Sequence, residues 1–387
     1  MHRFLRLALN SGWITSLLNG TLLFLGATLF AGAPGLVPDA RAQEGPSLRS
    51  DRRPIQVAID PTYQYYRTGE EQVLTQLSTR LAAFVPITQQ LTVQARAGYA
   101  RMGGDGLRQI QGPTDVATQV TYAREIGGGS VVLSAAVNAP TGKQKLTDEE
   151  LRTTRPISQN FYDFRVTSYS RGLSVSPQLT VAYPITDNLA VGIGGGYQHQ
   201  RGFQPNAGLA SDSLYVPGDG IGGNLGVNYK LTQSSAVGAS FSFRRYGEDT
   251  VNGAPRFDAG SRMAATLRYL QRSGFTTIRA VLRYSQWEES KFGLRNGQLT
   301  RQGQVLPPHG LALVGYEMRL VEGIRLQTRL SGHIYRETVS GGRKLFGRAY
   351  LAPSFDVADI VTVEPHGTAT YGSYLGLGGG VRVVGSF

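Results

Sequence analysis

Apolar and polar residues alternate along many short segments of the chain, as in residues 91–99 (LTVQARAGY), 237–243 (VGASFSF) and 278–284 (IRAVLRY). Successive side chains of an extended chain point to opposite sides, so a period of two predicts a β-strand whose two faces meet different surroundings. The pattern predicts sixteen strands, at residues 53–66, 72–86, 90–102, 115–124, 129–139, 171–184, 188–200, 219–231, 235–246, 256–270, 274–286, 308–320, 323–336, 345–356, 359–368 and 373–387.

The connections between these strands alternate in length. Short turns such as PITQQ, PITDN and VEG interleave with longer polar connections, the longest being residues 139–170, and the phrase PIT-x-x-L occurs twice, at Pro86 and Pro184. Long strands with short turns at one end and long loops at the other are typical of a transmembrane antiparallel β-barrel. We therefore expect an all-β fold, a barrel of 16 strands, with about 14 as the alternative because an even number brings both chain ends to the periplasmic side.

Aromatic residues recur at both ends of the face predicted to point outward, and Leu, Val, Ile, Ala and Met lie between them. Two aromatic rings around an apolar band fit the two interfaces of a bilayer. A soluble β-sandwich or propeller is the alternative. The ring at the short turns comprises Tyr122, Tyr183, Tyr229, Tyr269 and Phe355, and the ring at the long loops comprises Tyr65, Tyr99, Tyr197, Phe243 and Tyr284.

The N-terminus has the features of an export signal. A basic start, an apolar run within residues 13–31 and the small-x-small sequence of residues 40–42 predict a signal peptide over residues 1–42, with an N-terminal membrane anchor as the alternative. Residues 43–52 then form a short periplasmic segment, and residues 53–387 form the barrel. The final strand ends on Phe387, which we interpret as a signal for the outer-membrane assembly machinery, although Gly385 departs from the usual apolar pattern.

Charge and cysteine content narrow the partners. The net charge is +12 and there is no cysteine, so anionic solutes or acidic lipid are favoured, and disulfides and thiolate metal sites are excluded. An exported barrel is not expected to bind nucleic acid. Outer-membrane lipid is an expected partner, and a homo-oligomer or a protein bound by the loops remains open.

The face predicted to point into the barrel is rich in arginine. Its few acids are Asp60, Asp258, Glu317 and Glu364, whereas strands 4 to 7 present small neutral groups. We predict a pore with one basic wall, which favours anions; the alternative is that water and the few acids neutralise these arginines. The predicted pore-lining residues are Arg80, Arg96, Arg244, Arg262, Arg268, Arg279, Arg283, Arg325, Arg329, Arg348 and Arg382.

The long loop, residues 139–170, contains a candidate constriction. Thr147 followed by Glu150 resembles a capping box and predicts a short helix from Asp148. In length and position the loop is similar to the constriction loop of general porins, which would set Asp148, Glu149 and Glu150 opposite the arginines. A solvated extracellular loop is the alternative.

Other motifs carry little chemistry. The glycine-rich residues 194–196 and 220–226 lack the following Lys that a phosphate-binding loop needs, and the histidines are not at metal-ligand spacing. His199 has no evident partner Ser for a hydrolase. We expect no enzyme activity, no metal and no cofactor.

Two motifs support a family resemblance. Residues 139–143 (APTGK), together with PITDNL followed by a strand ending GGGY, are similar to the outer-membrane family linked to phenol meta-pathway degradation. That resemblance implies a Gram-negative outer-membrane barrel related to transporters of hydrophobic compounds. Two features depart from it: residues 43–52 are too few for the hatch of the fatty-acid transporters, and the arginine-rich lumen suits carboxylated solutes better.

Three functions follow from these observations. The first is a pore for small, anionic or carboxylated solutes, constricted by loop 139–170. The second is a structural or assembly barrel that binds a partner protein through residues 201–219 and 287–308. The third is a lateral-exit transporter of hydrophobic compounds, with a gap in the wall near Pro177.

Overall fold

The computed structural model describes residues 54–68, 71–157, 162–205, 214–295, 297–338 and 341–387. The predicted signal peptide, residues 1–42, and the predicted periplasmic segment, residues 43–52, lie outside this part of the chain. Among the described residues there is no helix long and apolar enough to cross a membrane.

The described residues are mostly β-strands, with one α-helix, α1 (Asp148–Ile157). In chain order the strands are β1 (Gln56–Thr68), β2 (Val73–Pro86), β3 (Leu91–Gly104), β4 (Leu107–Pro113), β5 (Val116–Ile126), β6 (Gly129–Ala139), β7 (Ser174–Pro184), β8 (Leu189–Gln200), β9 (Tyr215–Val216), β10 (Gly220–Lys230), β11 (Ser235–Tyr246), β12 (Glu248–Val251), β13 (Ala254–Asp258), β14 (Ser261–Ser273), β15 (Thr276–Trp287), β16 (Ser290–Arg295), β17 (Gln298–Gly303), β18 (His309–Val321), β19 (Ile324–Tyr335), β20 (Lys344–Ala358), β21 (Val361–Gly372) and β22 (Tyr374–Ser386).

Antiparallel pairing of β22 with β1 closes the barrel, in a register that joins Gln56 to Ser386 and Thr68 to Tyr374. β4 and β5 both pair with β3, β4 near Gly104 and β5 near Leu91, so these two strands share one position in the wall. The described strands therefore form a closed barrel of 16 positions. The predicted all-β barrel and its strand number are confirmed.

The repeated PIT-x-x-L phrase is one kind of turn used twice. The Thr88 hydroxyl oxygen accepts hydrogen bonds from the N–H groups of Gln90 (3.1 Å) and Leu91 (3.0 Å). The Thr186 hydroxyl oxygen accepts one from the N–H of Asn188 in the same way, at 3.3 Å. A threonine that bonds its own backbone two residues on stabilises a tight turn, which explains why the phrase recurs where two strands must reverse.

The short turns lie at the same end of the barrel as the last residues of the chain. There, the N–H of Ile55 donates to the carbonyl oxygen of Phe387 at 2.9 Å. In outer-membrane barrels the short turns face the periplasm and the longer loops face the exterior. The long connections, including the one between β6 and β7, therefore lie on the extracellular side.

The barrel has its apolar side chains on the outside. Leu225, Leu267 and Leu282 are 50%, 52% and 57% exposed, whereas the inward Gln178 and Thr180 are 5% and 3% exposed. Apolar side chains exposed on every strand of a closed sheet require hydrocarbon around them, so this surface meets lipid. The predicted aromatic residues at its two edges include the outward-facing and exposed Tyr99, Tyr197, Tyr284, Tyr122, Tyr183 and Tyr229.

The extracellular connections build structure that the sequence pattern did not predict. β9, β12, β13, β16 and β17 form a separate five-stranded sheet. The predicted strand over residues 256–270 is consequently wrong as one unit, because the chain breaks at Gly260 (φ 71°) between β13 and β14. Asp258 lies in this small sheet, 3.7 Å from the Lys291 ammonium, and not on the inner wall where we expected it.

Pro177 disturbs the pairing of β7 locally. β7 pairs with β8 at Val175 and again at Gln178, but not at the two residues between them. The proline lacks an N–H and cannot donate to the ladder. Pairing of β7 with β6 continues through Pro177, which sits opposite Ala135, so the sheet stays joined on that side.

Candidate functional site

The arginines predicted to line the pore point into the barrel. On β14, Arg268 shares a face with the buried Ala264 and Thr266, while its neighbour Leu267 belongs to the exposed lipid-facing side. The same alternation places the other ten inside: Arg80, Arg96, Arg244, Arg262, Arg279, Arg283, Arg325, Arg329, Arg348 and Arg382.

Eight of them lie on β11, β14, β15, β19 and β20, and we call this surface the arginine face: Arg244, Arg262, Arg268, Arg279, Arg283, Arg325, Arg329 and Arg348. Four guanidinium groups lie over aromatic rings at 5.0 to 5.9 Å, those of Tyr246, Trp287, Tyr350 and Phe346. A ring attracts a cation through its negative face, so these contacts orient the arginines. Arg325 is also held by Asp356, at 3.0 Å.

The wall on the other side of the lumen is neutral. Strands β5 to β8 present amides, hydroxyls and glycines inward: Gln119, Thr121, Ser134, Asn138, Ser176, Gln178, Gly192 and Gly194. The barrel therefore has one basic side and one uncharged side, and an ion in the lumen meets an asymmetric field.

The helix of the long loop begins where the capping box predicts. The Thr147 hydroxyl oxygen accepts from the N–H of Glu150 at 3.2 Å, and the Glu150 carboxylate accepts from the N–H of Thr147 at 3.1 Å. These reciprocal bonds satisfy two free donors at the start of α1. Burial acts to raise the pKa of the Glu150 carboxyl, but the Lys143 ammonium and the Thr147 N–H outweigh it and hold that pKa below its usual value.

The acids of this helix make local ion pairs, and their predicted position across the lumen from the arginine face stays a prediction. Glu150 pairs with Lys143, Glu149 pairs with Arg108 on β4, and Asp148 is exposed at the first position of α1. These pairs form because α1 packs on β4, a strand that the sequence pattern did not predict. The Thr153 hydroxyl of α1 donates to the carbonyl oxygen of Arg108 on β4 at 2.6 Å.

A different part of the loop enters the barrel, and we call residues 162–169 the inner segment. Tyr162, Phe164, Val166 and Tyr169 are buried in a cluster with inward residues of the wall, among them Tyr66, Met102, Phe346 and Tyr374. The residues between them, Asp163, Arg165 and Thr167, are less buried and lie on the lumen side. The inner segment thus packs against the inside of the wall at the extracellular mouth and takes up space in the lumen.

Two glutamines of the wall hold the inner segment, and we call them the glutamine clip. Gln64 of β1 and Gln76 of β2 are paired in register. The Gln64 amide accepts from the N–H of Arg165 (2.7 Å) and donates to the carbonyl oxygen of Asp163 (3.0 Å). The Gln76 amide accepts from the N–H of Val166 (2.8 Å) and donates to its carbonyl oxygen (2.7 Å). A side-chain amide satisfies peptide groups as a neighbouring strand would.

The two ends of the loop are tied together at Asp115, between β4 and β5. Its carboxylate accepts hydrogen bonds from the N–H of Gly142 (3.0 Å) and the N–H of Arg171 (2.7 Å). A Cβ at position 142 would stand 2.0 Å from the carbonyl oxygen of Tyr169, so only glycine fits there. The Pro-Thr-Gly motif that carried the family resemblance therefore has a structural role, as the hinge from which the loop turns into the barrel.

The inner segment brings its own charges to the wall. The Arg348 guanidinium donates to the Asp163 carboxylate at 2.8 Å. Arg165 lies 3.4 Å from the His366 ring nitrogen, and that nitrogen lies 3.7 Å from the Asp60 carboxylate. Sequence reasoning missed Asp163 and Arg165, although YDFRVT alternates as the strands do, because the segment stands inside a long loop.

Comparisons with known proteins locate the chain among membrane barrels. No protein-family model and no curated protein matches the sequence. Solved structures of similar fold include an outer membrane channel from Pseudomonas putida F1, with 11% identity over 86% of this chain and 95% of the channel and a TM-score of 0.38. Pseudomonas aeruginosa OprD shares 10% identity over 86% of this chain and 95% of its own, with a TM-score of 0.38. CdiB from Acinetobacter baumannii shares 11% identity over 85% of this chain and 60% of its own, with a TM-score of 0.49.

These likenesses concern the barrel architecture alone, because the identities and TM-scores are low. The likeness to the phenol meta-pathway family therefore rests on its short motifs. A closed barrel with an apolar outer band and aromatic residues at both edges is typical of bacterial outer-membrane proteins. The chain is therefore a protein of the bacterial outer membrane.

Proposed function

We propose that the protein is an outer-membrane pore for small anionic solutes, with carboxylates as the favoured class. The observation that carries the proposal is the arginine face, a set of inward guanidiniums on neighbouring strands opposite a neutral wall. Fixed positive charge beside water in a passage with low-dielectric walls raises the local concentration of anions and lowers that of cations.

The inner segment limits the size of the solutes that can pass through this pore. It fills part of the extracellular mouth and is held by buried hydrogen bonds from both glutamines of the clip. A solute must pass between the inner segment and the remaining wall. The loop thus sets the cutoff and the arginine face sets the charge preference.

The sign of the reversal potential in a salt gradient tests the proposal. Purified protein in a planar bilayer with unequal KCl on the two sides should give a reversal potential of anion-selective sign. Liposome swelling should be faster with carboxylates than with neutral or cationic solutes of equal size. A cation-selective pore would overturn the proposal, and the lack of any conductance would favour the partner-binding barrel.

Reversing two charges of the arginine face should lower the selectivity. In the variant Arg279→Glu with Arg283→Glu, the anion-to-cation permeability ratio should fall by about threefold or more, because two lumenal cations become anions. The matched control reverses two exposed, outward arginines, Arg101 and Arg124, with the same change in net charge. Equal effects of both variants would show that net charge, and not the lumen, sets the selectivity.

A further inference from the structure

Arg348 is the arginine of the wall on which the inner segment rests. Its side chain is 13% exposed, and its guanidinium donates to the Thr370 hydroxyl (3.2 Å) and to the Tyr374 hydroxyl (3.4 Å). The same guanidinium lies 5.5 Å from the centre of the Phe346 ring. These wall residues therefore hold the Arg348 guanidinium in place independently of the carboxylate that it binds.

The carboxylate bound there belongs to the chain itself. Asp163 accepts from Arg348 at 2.8 Å, yet its side chain remains 55% exposed to the lumen. The rings on either side of Asp163 lie against the wall: Tyr162 is 5.0 Å from Tyr374, and Phe164 is 4.7 Å from Tyr66. The packed rings thus hold Asp163 beside Arg348, at the place where the carboxylate of a solute would bind.

Other carboxylates bound to lumenal arginines differ from Asp163. Asp60 pairs with Arg80 and Asp356 pairs with Arg325, and in both pairs the acid stands on a barrel strand. A strand cannot leave the wall without breaking the sheet. Asp163 stands on a loop, at a φ of 56° that a non-glycine residue rarely adopts, and its side chain can turn into the lumen while the clip keeps its backbone in place.

We propose that Arg348, held by Phe346, Thr370 and Tyr374, is the subsite for the carboxylate of a permeating acid, and that Asp163 is its tethered competitor. The solute carboxylate takes the place of Asp163 on Arg348, and the rest of the solute stays in the lumen, because Phe346 and Tyr374 are only 3% and 4% exposed. The subsite rests on the proposed anion pore, because it assigns the place where the preferred anion binds. A competitor that occupies the site lowers the apparent affinity for the solute by the fraction of time for which the site is free.

Benzoate and benzamide are suitable probes, since they share a ring and only benzoate carries a carboxylate. The measurement is the concentration dependence of channel block in bilayer recordings in KCl. In Asp163→Asn the apparent Kd for benzoate should fall by about fivefold or more, because the competitor has lost its charge. The matched control is Glu149→Gln, an acid of the same loop that pairs with Arg108 and should leave the Kd unchanged.

Arg348→Gln should raise the apparent Kd for benzoate by about tenfold or more. In the double variant, Asp163→Asn should no longer lower this Kd, because the two residues share one interaction. Arg348→Lys keeps the charge and serves if the first variant does not assemble; it should bind benzoate more weakly than the wild type. An unchanged Kd in Asp163→Asn would overturn the competitor, and equal affinities for benzoate and benzamide would overturn the carboxylate subsite. If the wild type stays anion-selective in these cases, only the subsite fails; a cation-selective wild type would overturn the subsite and the proposed function together.

Discussion

Replacing both glutamines of the clip, Gln64→Leu with Gln76→Leu, is expected to raise the single-channel conductance to roughly double or more, because it releases the constriction of the pore. The leucines keep the approximate volume but cannot bond the peptide groups of Asp163, Arg165 and Val166. Each buried peptide group left without a partner costs about 1–3 kcal/mol. The inner segment can recover these bonds only from water, by moving away from the wall.

Bilayer recordings of the double variant measure this effect directly, and liposome swelling with larger solutes measures the accompanying rise in the cutoff. Gln178→Leu is the control, since Gln178 is a buried lumenal glutamine on the neutral wall, on β7 and away from the clip strands. Each single clip variant should have a smaller effect, because the other glutamine still holds the segment. Unchanged conductance in the double variant would mean that residues 162–169 do not limit the current.

Exchanging two neighbouring residues of β14, Leu267→Arg with Arg268→Leu, should prevent assembly of the barrel in lipid. The exchange keeps the composition and moves one guanidinium from the lumen to the lipid-facing side. Leu267 is 52% exposed and sits opposite Ala239 and Leu282 of the adjacent strands, within the apolar band. An arginine near the middle of the bilayer costs about 2–4 kcal/mol on the lipid face of a barrel.

The control is Arg268→Leu alone, which removes the lumenal charge and leaves the outer surface intact, so it should assemble. Folding into vesicles can be followed by the shift in electrophoretic mobility between heated and unheated samples and by the urea midpoint of unfolding. Normal assembly of the exchange variant would contradict the assignment of the two faces. If Arg268→Leu also failed to assemble, that arginine would be required for the wall itself.

The fold could be predicted largely because its signals are local. A strand such as β11 shows its two faces in its own residues, and the Thr88 and Thr186 turns form their bonds within three residues. Alternation also fixed the face of each arginine, since a residue two positions along a strand points the same way. The strand over residues 256–270 was wrong as one unit because a single glycine, Gly260, turns the chain without disturbing the composition around it.

The site could be predicted only in part. Its arginines follow from periodicity, but the local pattern did not show that Glu149 and Glu150 pair with Arg108 and Lys143 near β4. The local pattern also did not show that Asp163 of the long loop reaches the arginine face. Its partner Arg348 lies 185 residues away along the chain, and nothing near either residue indicates the other.

The sequence by itself determined where the strands run, which side of each strand meets lipid and where the inward charge lies, because a period of two is a property of neighbouring residues. Only the tertiary structure decided which part of the long loop enters the lumen and what holds it there. Gln64 and Gln76 come to face residues 163–166 only after β1 and β2 have paired and the loop has turned at Gly142. Contacts of that kind depend on how distant surfaces fit together in space, and the local pattern along the chain does not contain that information.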